Sequence, residues 1–398
     1  MIKKKQLIKL LFLFTLILYF LSLNSSNVLA NPENNLIELT EGQLEILDTR
    51  EVERFINEID RELAEFIPEF TIEQFITNLK NGDIHLNPQG FLNGIGKFLM
   101  REVGANLALM GKLILLAIIC AVLSNLQNAF EQDNISKLAH MVSFLVLITL
   151  AVGSFQMTME IGKVTIDRMV SFMQILMPVL LALLAALGAF TTTAILHPFI
   201  LVTLGILSTF FKVIIFPLVY FEAILKLVNY ISEKFKISRL VDLFKDATKF
   251  CLGLSFTLFI GALSLQGVGG AVADGITLRT AKYMSGAFIP VVGGMFADAL
   301  DAVIGGSLLL KNAIGLVGLV VIGVITLFPM LKIIAIVIIY KLAAALIQPI
   351  GDTKVADTLQ GMANSLLLVF ASVATVSLMF FLTIIIIMVT ANVTVMLR

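Results

Sequence analysis

Two carboxylates three residues apart, Asp298 and Asp301, stand between two glycine pairs, Gly293-Gly294 and Gly305-Gly306, in the stretch "GGMFADALDAVIGGSLLLKN" (residues 293 to 312). Asp274, Arg279 and Lys282 precede them and Lys311 follows. On a helix, a spacing of three places both carboxylates on one face. A charge at the centre of a bilayer costs about 3 kcal/mol or more unless it meets water, protein or a counter-charge. The chemistry such groups supply at membrane depth is a polar path for ions, protons or solutes. Paired glycines let helices approach closely or break. Two readings follow for residues 267 to 312. One is a re-entrant hairpin lining a polar path. The other is an extramembrane loop with amphipathic helices near 271 to 286 and 295 to 304, packed through small residues. The candidate polar-path or packing residues are Asp274, Arg279, Lys282, Gly293, Gly294, Asp298, Asp301, Gly305, Gly306 and Lys311.

No other spacing identifies a catalytic group. "GANLALMGKL" (residues 104 to 113) has six residues between its glycines, and Leu113 follows Lys112 where a phosphate-binding loop needs Ser or Thr. Cys120 and Cys251 lie in or beside apolar segments, which reads as ordinary small membrane residues. His85, His140 and His197 have no ligand-like spacing. No cofactor, metal site, catalytic residue or enzymatic activity is expected.

The elements that must hold these charges are membrane helices. The chain has 398 residues, 58% hydrophobic and 14% charged, with a mean hydropathy of +0.98; soluble domains carry roughly 25% charged residues. Its 28 basic and 28 acidic residues cancel, so no basic field points to nucleic acid. The expectation is an all-α polytopic transmembrane protein with seven or eight spans: roughly 106 to 126, 138 to 157, 170 to 188, 198 to 222, 250 to 268, 313 to 328, 332 to 349 and 364 to 390. Only "FPMLK" separates the sixth and seventh of these, which form either a tight hairpin or one kinked helix.

Before the spans, residues 1 to 30 read as a signal peptide, with a basic start, an apolar run from Leu10 to Leu23, and Val28 and Ala30 at a small-residue cleavage pattern. Residues 31 to 100, a small extracytoplasmic segment, carry 14 acids against five bases. Val52, Phe55, Ile56, Ile59 and Leu63 recur at helical spacing, so short amphipathic helices are expected there, broken near Pro68, Asn81-Gly82 and Pro88. About 70 residues is small for an independent core, and the segment is expected to pack on the membrane domain (101 to 398) or on a partner. Residues 226 to 249 carry six bases with apolar residues at helical spacing, which reads as one amphipathic helix along the membrane interface.

Longer stretches carry a resemblance. "VADGITLRTAKYMSGAFIPVVGGMFADALDAVIGGSLLLKNAIGLVG" (272 to 318), "IYKLAAALIQPIG" (339 to 351), "LSNLQNAFEQDNISKLAH" (123 to 140) and "LHPFIL" (196 to 201) closely resemble the stage III sporulation AE family of endospore-forming bacteria. The resemblance implies a multi-pass protein of the mother-cell-derived membrane around the forespore, part of a transenvelope channel or secretion complex needed for late forespore gene expression. Implied partners are the other stage III A-operon proteins, including a secretion-type ATPase and ring-forming proteins, and stage II sporulation protein Q. The family supplies no catalytic residues. Read from the residues alone, a self-contained small-molecule permease and a purely structural scaffold for ring assembly stand beside that function.

Overall fold

The structure is a computed structural model. It describes residues 50–64, 88–129, 134–231, 237–288, 292–350 and 353–396, with the backbone alone at 60–64, 88, 89, 91, 125–129, 134–137, 140, 231, 268, 281–288, 292–302, 350, 394 and 395. The expected signal peptide and the breaks near Pro68 and Asn81-Gly82 lie outside the described residues. Those residues form helices: α1 (Arg50–Ala64), α2 (Pro88–Ala105), α3 (Leu107–Ala129), α4 (Asn134–Ala186), α5 (Phe190–Phe210), a π-helical turn (Phe211–Ile215), α6 (Phe216–Ile231), α7 (Ser238–Phe288), α8 (Val292–Ile347), a 3-10 turn (Gln348–Ile350) and α9 (Thr353–Met396). The all-α, membrane-type expectation holds.

Among the described residues, six helical stretches are long and apolar enough to cross a membrane, running from the 18 residues of Leu107–Ser124 to the 46 of Met141–Ala186. Two pairs of expected spans are each one helix. Residues 138 to 157 and 170 to 188 are joined in α4, and 313 to 328 and 332 to 349 in α8. In α4 the joint is "EIGKVTIDR", residues 160 to 168, whose charges resemble a loop in hydropathy but whose residues are all compatible with a helix. In α8 the joint contains Pro329, which has no N–H to return to the carbonyl four residues earlier. Thr326 Oγ1, one turn before it, donates to Ile322 O at 2.8 Å, and Ser377 Oγ of α9 donates to Thr326 Oγ1 at 3.2 Å.

These helices exceed a bilayer. At 1.5 Å per residue, 46 residues extend about 69 Å, against a hydrocarbon core of about 30 Å. Fitting that length inside would need a tilt of about 64°, beyond the usual limit of about 40°. The apolar stretch of α4 is thus about twice the length that one upright crossing needs. Its charged joint divides it into two apolar stretches of membrane-matching length.

Packing follows from register. Gly318 of α8 faces Leu176 of α4, and Tyr340 Oη bonds Ser154 Oγ and Ala151 O, so α4 and α8 run antiparallel. Gly315 against Met388 and Thr326 against Ser377 make α8 and α9 antiparallel as well. The core lies between α4, α8 and α9, with Phe155, Phe172, Tyr340 and Phe380 wholly buried. The N-terminal helices dock onto it. Val52, Ile56 and Ile59 of α1 are buried, the Phe55 ring lies 5.3 Å from Phe172, and Phe98 of α2 meets Phe328 edge-on at 4.9 Å. Their acidic residues Glu51, Glu53 and Glu58 stay exposed.

One expectation about helix continuity is corrected. Residues 226 to 249 are not one interfacial helix: α6 ends at Ile231 and α7 begins at Ser238. Asn229 Oδ1 accepts from Ile237 N at 2.9 Å, tying the incoming strand of chain to the end of α6. The Gly-rich region 267 to 312 is the end of α7, to Phe288, and the start of α8, from Val292. Each helical glycine costs about 1 kcal/mol relative to alanine, offset at Gly270 by a close approach of α5 that a Cβ would block. A Cβ on Gly270 would sit 2.8 Å from the Thr192 backbone, and one on Gly315 would sit 2.5 Å from Met388 Sδ.

Candidate functional site

The candidates read from the sequence divide among different neighbours. Asp274, on α7, is buried; its Oδ1 accepts from Thr191 N and its Oδ2 from Thr192 N, each at 2.8 Å. Those amides belong to the first turn of α5, where N–H groups have no intrahelical acceptor, and Ala189 at the N-cap supplies no side-chain bond. Asp274 is thus a cap delivered from another helix, with a charge that suits the positive helix end. Gly188, at φ 83°, makes the turn that presents α5 to it.

Lys311, on α8, is fully buried, and its Nζ donates to Met388 O of α9 at 2.7 Å. Arg279 is exposed, Gly306 is buried, and Gly305 faces open space. Gly293 and Gly294 lie in the first turn of α8, Lys282 near the end of α7, and Asp298 and Asp301 on α8; their side-chain surroundings lie outside the described residues. The structure therefore brings Asp274 to α5 and Lys311 to α9.

A second set of polar residues was not legible as a site. Midway along α4, Gln156, Glu160, Lys163 and Asp167 face the bend between α5 and α6. Pro217 lacks the N–H that an α-helix would direct to Val213 O, and the ladder slips into the π-turn Phe211–Ile215 just before it. Lys212, on that turn, forms an ion pair with Asp167. Ser208 Oγ donates to Asp167 Oδ1 at 3.5 Å, and Gln156 Nε2 donates to Tyr220 Oη at 3.2 Å. On the outer side Arg168 meets Glu58 of α1 at 3.7 Å, and Lys163 lies 3.9 Å from Glu160. A cleft of about 400 Å³ opens here, its polar wall formed by Gln156, Glu160, Lys163, Lys212 and Tyr220 and its apolar wall by Met159, Phe216, Pro217 and Phe221. It could hold a small amphipathic or zwitterionic group. The sequence signal was the Glu160, Lys163, Asp167, Arg168 spacing, which falls between two expected spans.

Just beyond this cleft lies a buried ionic network. Glu222 of α6 is fully buried. Its Oε1 accepts from Lys226 Nζ at 2.5 Å and its Oε2 from Ser365 Oγ of α9 at 2.5 Å. Lys226 Nζ also lies 3.3 Å from Ser365 Oγ and 3.4 Å from Gly361 O. Gly361 is required, because a Cβ there would lie 2.8 Å from Lys226 Cδ. A serine beside a lysine invites comparison with a nucleophile and its base. Here Lys226 Nζ and Ser365 Oγ both donate to the same buried carboxylate, and the serine is enclosed, so neither is free to act on a substrate. The arrangement locks α6 to α9. Among the described residues, no group of three His, Cys, Asp or Glu side chains gathers to hold a metal ion.

Comparison with known proteins gives the chain its family. The family profile for Stage III sporulation protein AE matches residues 70–391. The chain is 40% identical over 364 residues to "Stage III sporulation protein AE" of Bacillus subtilis (strain 168), covering 91% of this chain and 90% of that protein. No solved structure matches. With two apolar helices each spanning two expected crossings and a profile match over most of its length, the chain belongs to the stage III sporulation protein AE family.

Proposed function

We propose that this protein is a non-enzymatic integral membrane component of a transenvelope channel or secretion complex that links mother cell and forespore and is required for late forespore gene expression. The observation that carries the proposal is 40% identity to a stage III sporulation protein across nine-tenths of both chains. The fold supports it physically: apolar helices longer than a bilayer is thick, with α6 tied to α9 through the Glu222–Ser365 hydrogen bond, make a rigid membrane element. Its place is the mother-cell-derived membrane around the forespore. Its partners there are the other stage III A-operon proteins, among them a secretion-type ATPase and ring-forming proteins, together with stage II sporulation protein Q.

The test is complementation. Expression in a spore former lacking its own family member should restore heat-resistant spores and a late forespore reporter. Normal membrane levels without restoration of either would refute the reading. The cleft between α4 and the π-turn favours one second reading, a self-contained permease. Purified protein in vesicles, without partners, would then move a small solute at a rate that falls when Lys212 is replaced by Met. Tight vesicles would leave the partner-dependent reading standing.

A further inference from the structure

The cleft beside the π-turn has a direction. Across it α4 and α6 run antiparallel: Asp167 pairs with Lys212, a Cβ on Gly162 would lie 3.2 Å from Phe216 Cζ, and Gln156 Nε2 donates to Tyr220 Oη. One end is therefore ionic, with Lys163, Asp167 and Lys212. The other end is formed by Gln156, Tyr220 and Phe221. Beside that end large apolar side chains stand exposed, Phe221 at 53% and Met157 at 68%.

The ionic end lies near the level of water. Helix α1, with Glu51, Glu53 and Glu58 exposed, docks on α4 at Arg168 and Phe172, and exposed carboxylates belong outside hydrocarbon. Lys163 is five residues from Arg168, roughly 7.5 Å along the helix axis. The headgroup layer on each side of the hydrocarbon is roughly 5–8 Å deep. From Arg168 to Gln156, α4 thus passes from the water-facing level through headgroup depth toward the uncharged run 141 to 155.

The charges select the occupant. Lys163 and Lys212 are offset by Glu160 and Asp167, so the cleft has no net charge and suits a zwitterion better than a lone anion or cation. A lysine ammonium has three N–H donors, so the bond to Asp167 leaves Lys212 with two. Lys163 meets Glu160 only at 3.9 Å. Tyr220 accepts from Gln156 and keeps its own O–H to donate. Two ammonium groups and a phenol are donors for a phosphodiester, and the exposed Glu160 carboxylate is an acceptor for a primary ammonium. About 400 Å³ admits such a headgroup, while acyl chains would continue over Phe221 and Met157 into the bilayer.

We propose that this cleft binds the headgroup of an ethanolamine-type phospholipid, with the phosphate on Lys163, Lys212 and the Tyr220 hydroxyl and the ammonium on Glu160. The lipid fills the wedge that the π-turn opens between α4 and α6. The proposal stands apart from the sporulation reading, because it concerns the purified chain without partners.

The test is native mass spectrometry of the full-length protein in detergent, with phosphatidylethanolamine, phosphatidylcholine and phosphatidylglycerol added in turn at equal concentration, and with soluble glycerophosphoethanolamine as a competitor. One phosphatidylethanolamine should be retained in preference to the other two lipids. Lys212→Met and Glu160→Gln should each weaken that binding roughly tenfold, as loss of one charge-assisted contact predicts. Lys249→Met, on the far exposed pair with Asp246, should leave it unchanged. Should Lys212→Met fail to fold, Glu160→Gln, which alters an exposed side chain, carries the comparison. Equal retention of all three lipids overturns the site, as does equal retention by wild type and cleft variants, which marks lipid held around the whole bundle. Displacement by glycerophosphoethanolamine at the concentration at which the lipid itself binds would also overturn it, since the ligand would then be a soluble phosphodiester.

Discussion

Replacing Lys226 with Met removes one partner from a carboxylate that has no exposure at all. Glu222 would keep its bond from Ser365 Oγ but lose the ammonium 2.5 Å away. Lys226 is 14% exposed and Glu222 0%, so solvent screening is minor. Breaking a buried pair by removing one partner costs about 3–5 kcal/mol, because the other charge is left uncompensated. For a protein of this size that corresponds to a fall in unfolding temperature on the order of 6–15 °C. The double variant Glu222→Gln, Lys226→Met removes both charges and keeps a hydrogen-bonding group beside Ser365; it should recover most of the loss. The assay is thermal unfolding of wild type, both single variants and the double variant in one detergent. The reasoning fails if Lys226→Met melts with the wild type, or if the double variant melts as low as the sum of the singles, since either result would mean the two groups are not coupled.

Other consequences can be read in the same assay. Asp274→Ala should cost about 1–2 kcal/mol by uncapping α5, and Asp274→Asn, which keeps one of the two acceptor oxygens but sets its NH2 against the other N–H, should lose at least half of that. Gly305→Ala should be neutral or slightly stabilising, since its Cβ enters open space, whereas Gly270→Ala should destabilise because the Cβ meets the Thr192 backbone. The pair of Asp167 and Lys212 is 47% and 37% exposed; Lys212→Met should therefore change stability by under about 1 kcal/mol. If that variant also lowers the yield of heat-resistant spores at normal protein level, the cleft acts in function.

The membrane class and the helical content were legible because they depend on composition and local periodicity, which every window of the chain displays. So was the docking of the N-terminal segment: the spacing of Val52, Ile56 and Ile59 marks an apolar face, and that face is the one buried. The count of crossings was not legible in the same way. Hydropathy marks Glu160 to Arg168 and Phe328 to Lys332 as interruptions, yet a helix continues through both because backbone hydrogen bonding is indifferent to side-chain charge and a single proline removes only one bond of the ladder. The Gly-rich stretch drew attention for its charges, but the glycines at 270 and 315 serve contact between helices.

What the sequence determined by itself was the solvent this chain folds in, its helical class and its family, all of which follow from residue types along the chain. Only the tertiary structure decided which charges meet. Glu222 and Ser365 are 143 residues apart, Asp274 and Thr192 are 82 apart, and Lys311 and Met388 are 77 apart. A buried charge is stable only beside its partner, and the partner is chosen by helix register and bundle order, which single-chain periodicity does not encode.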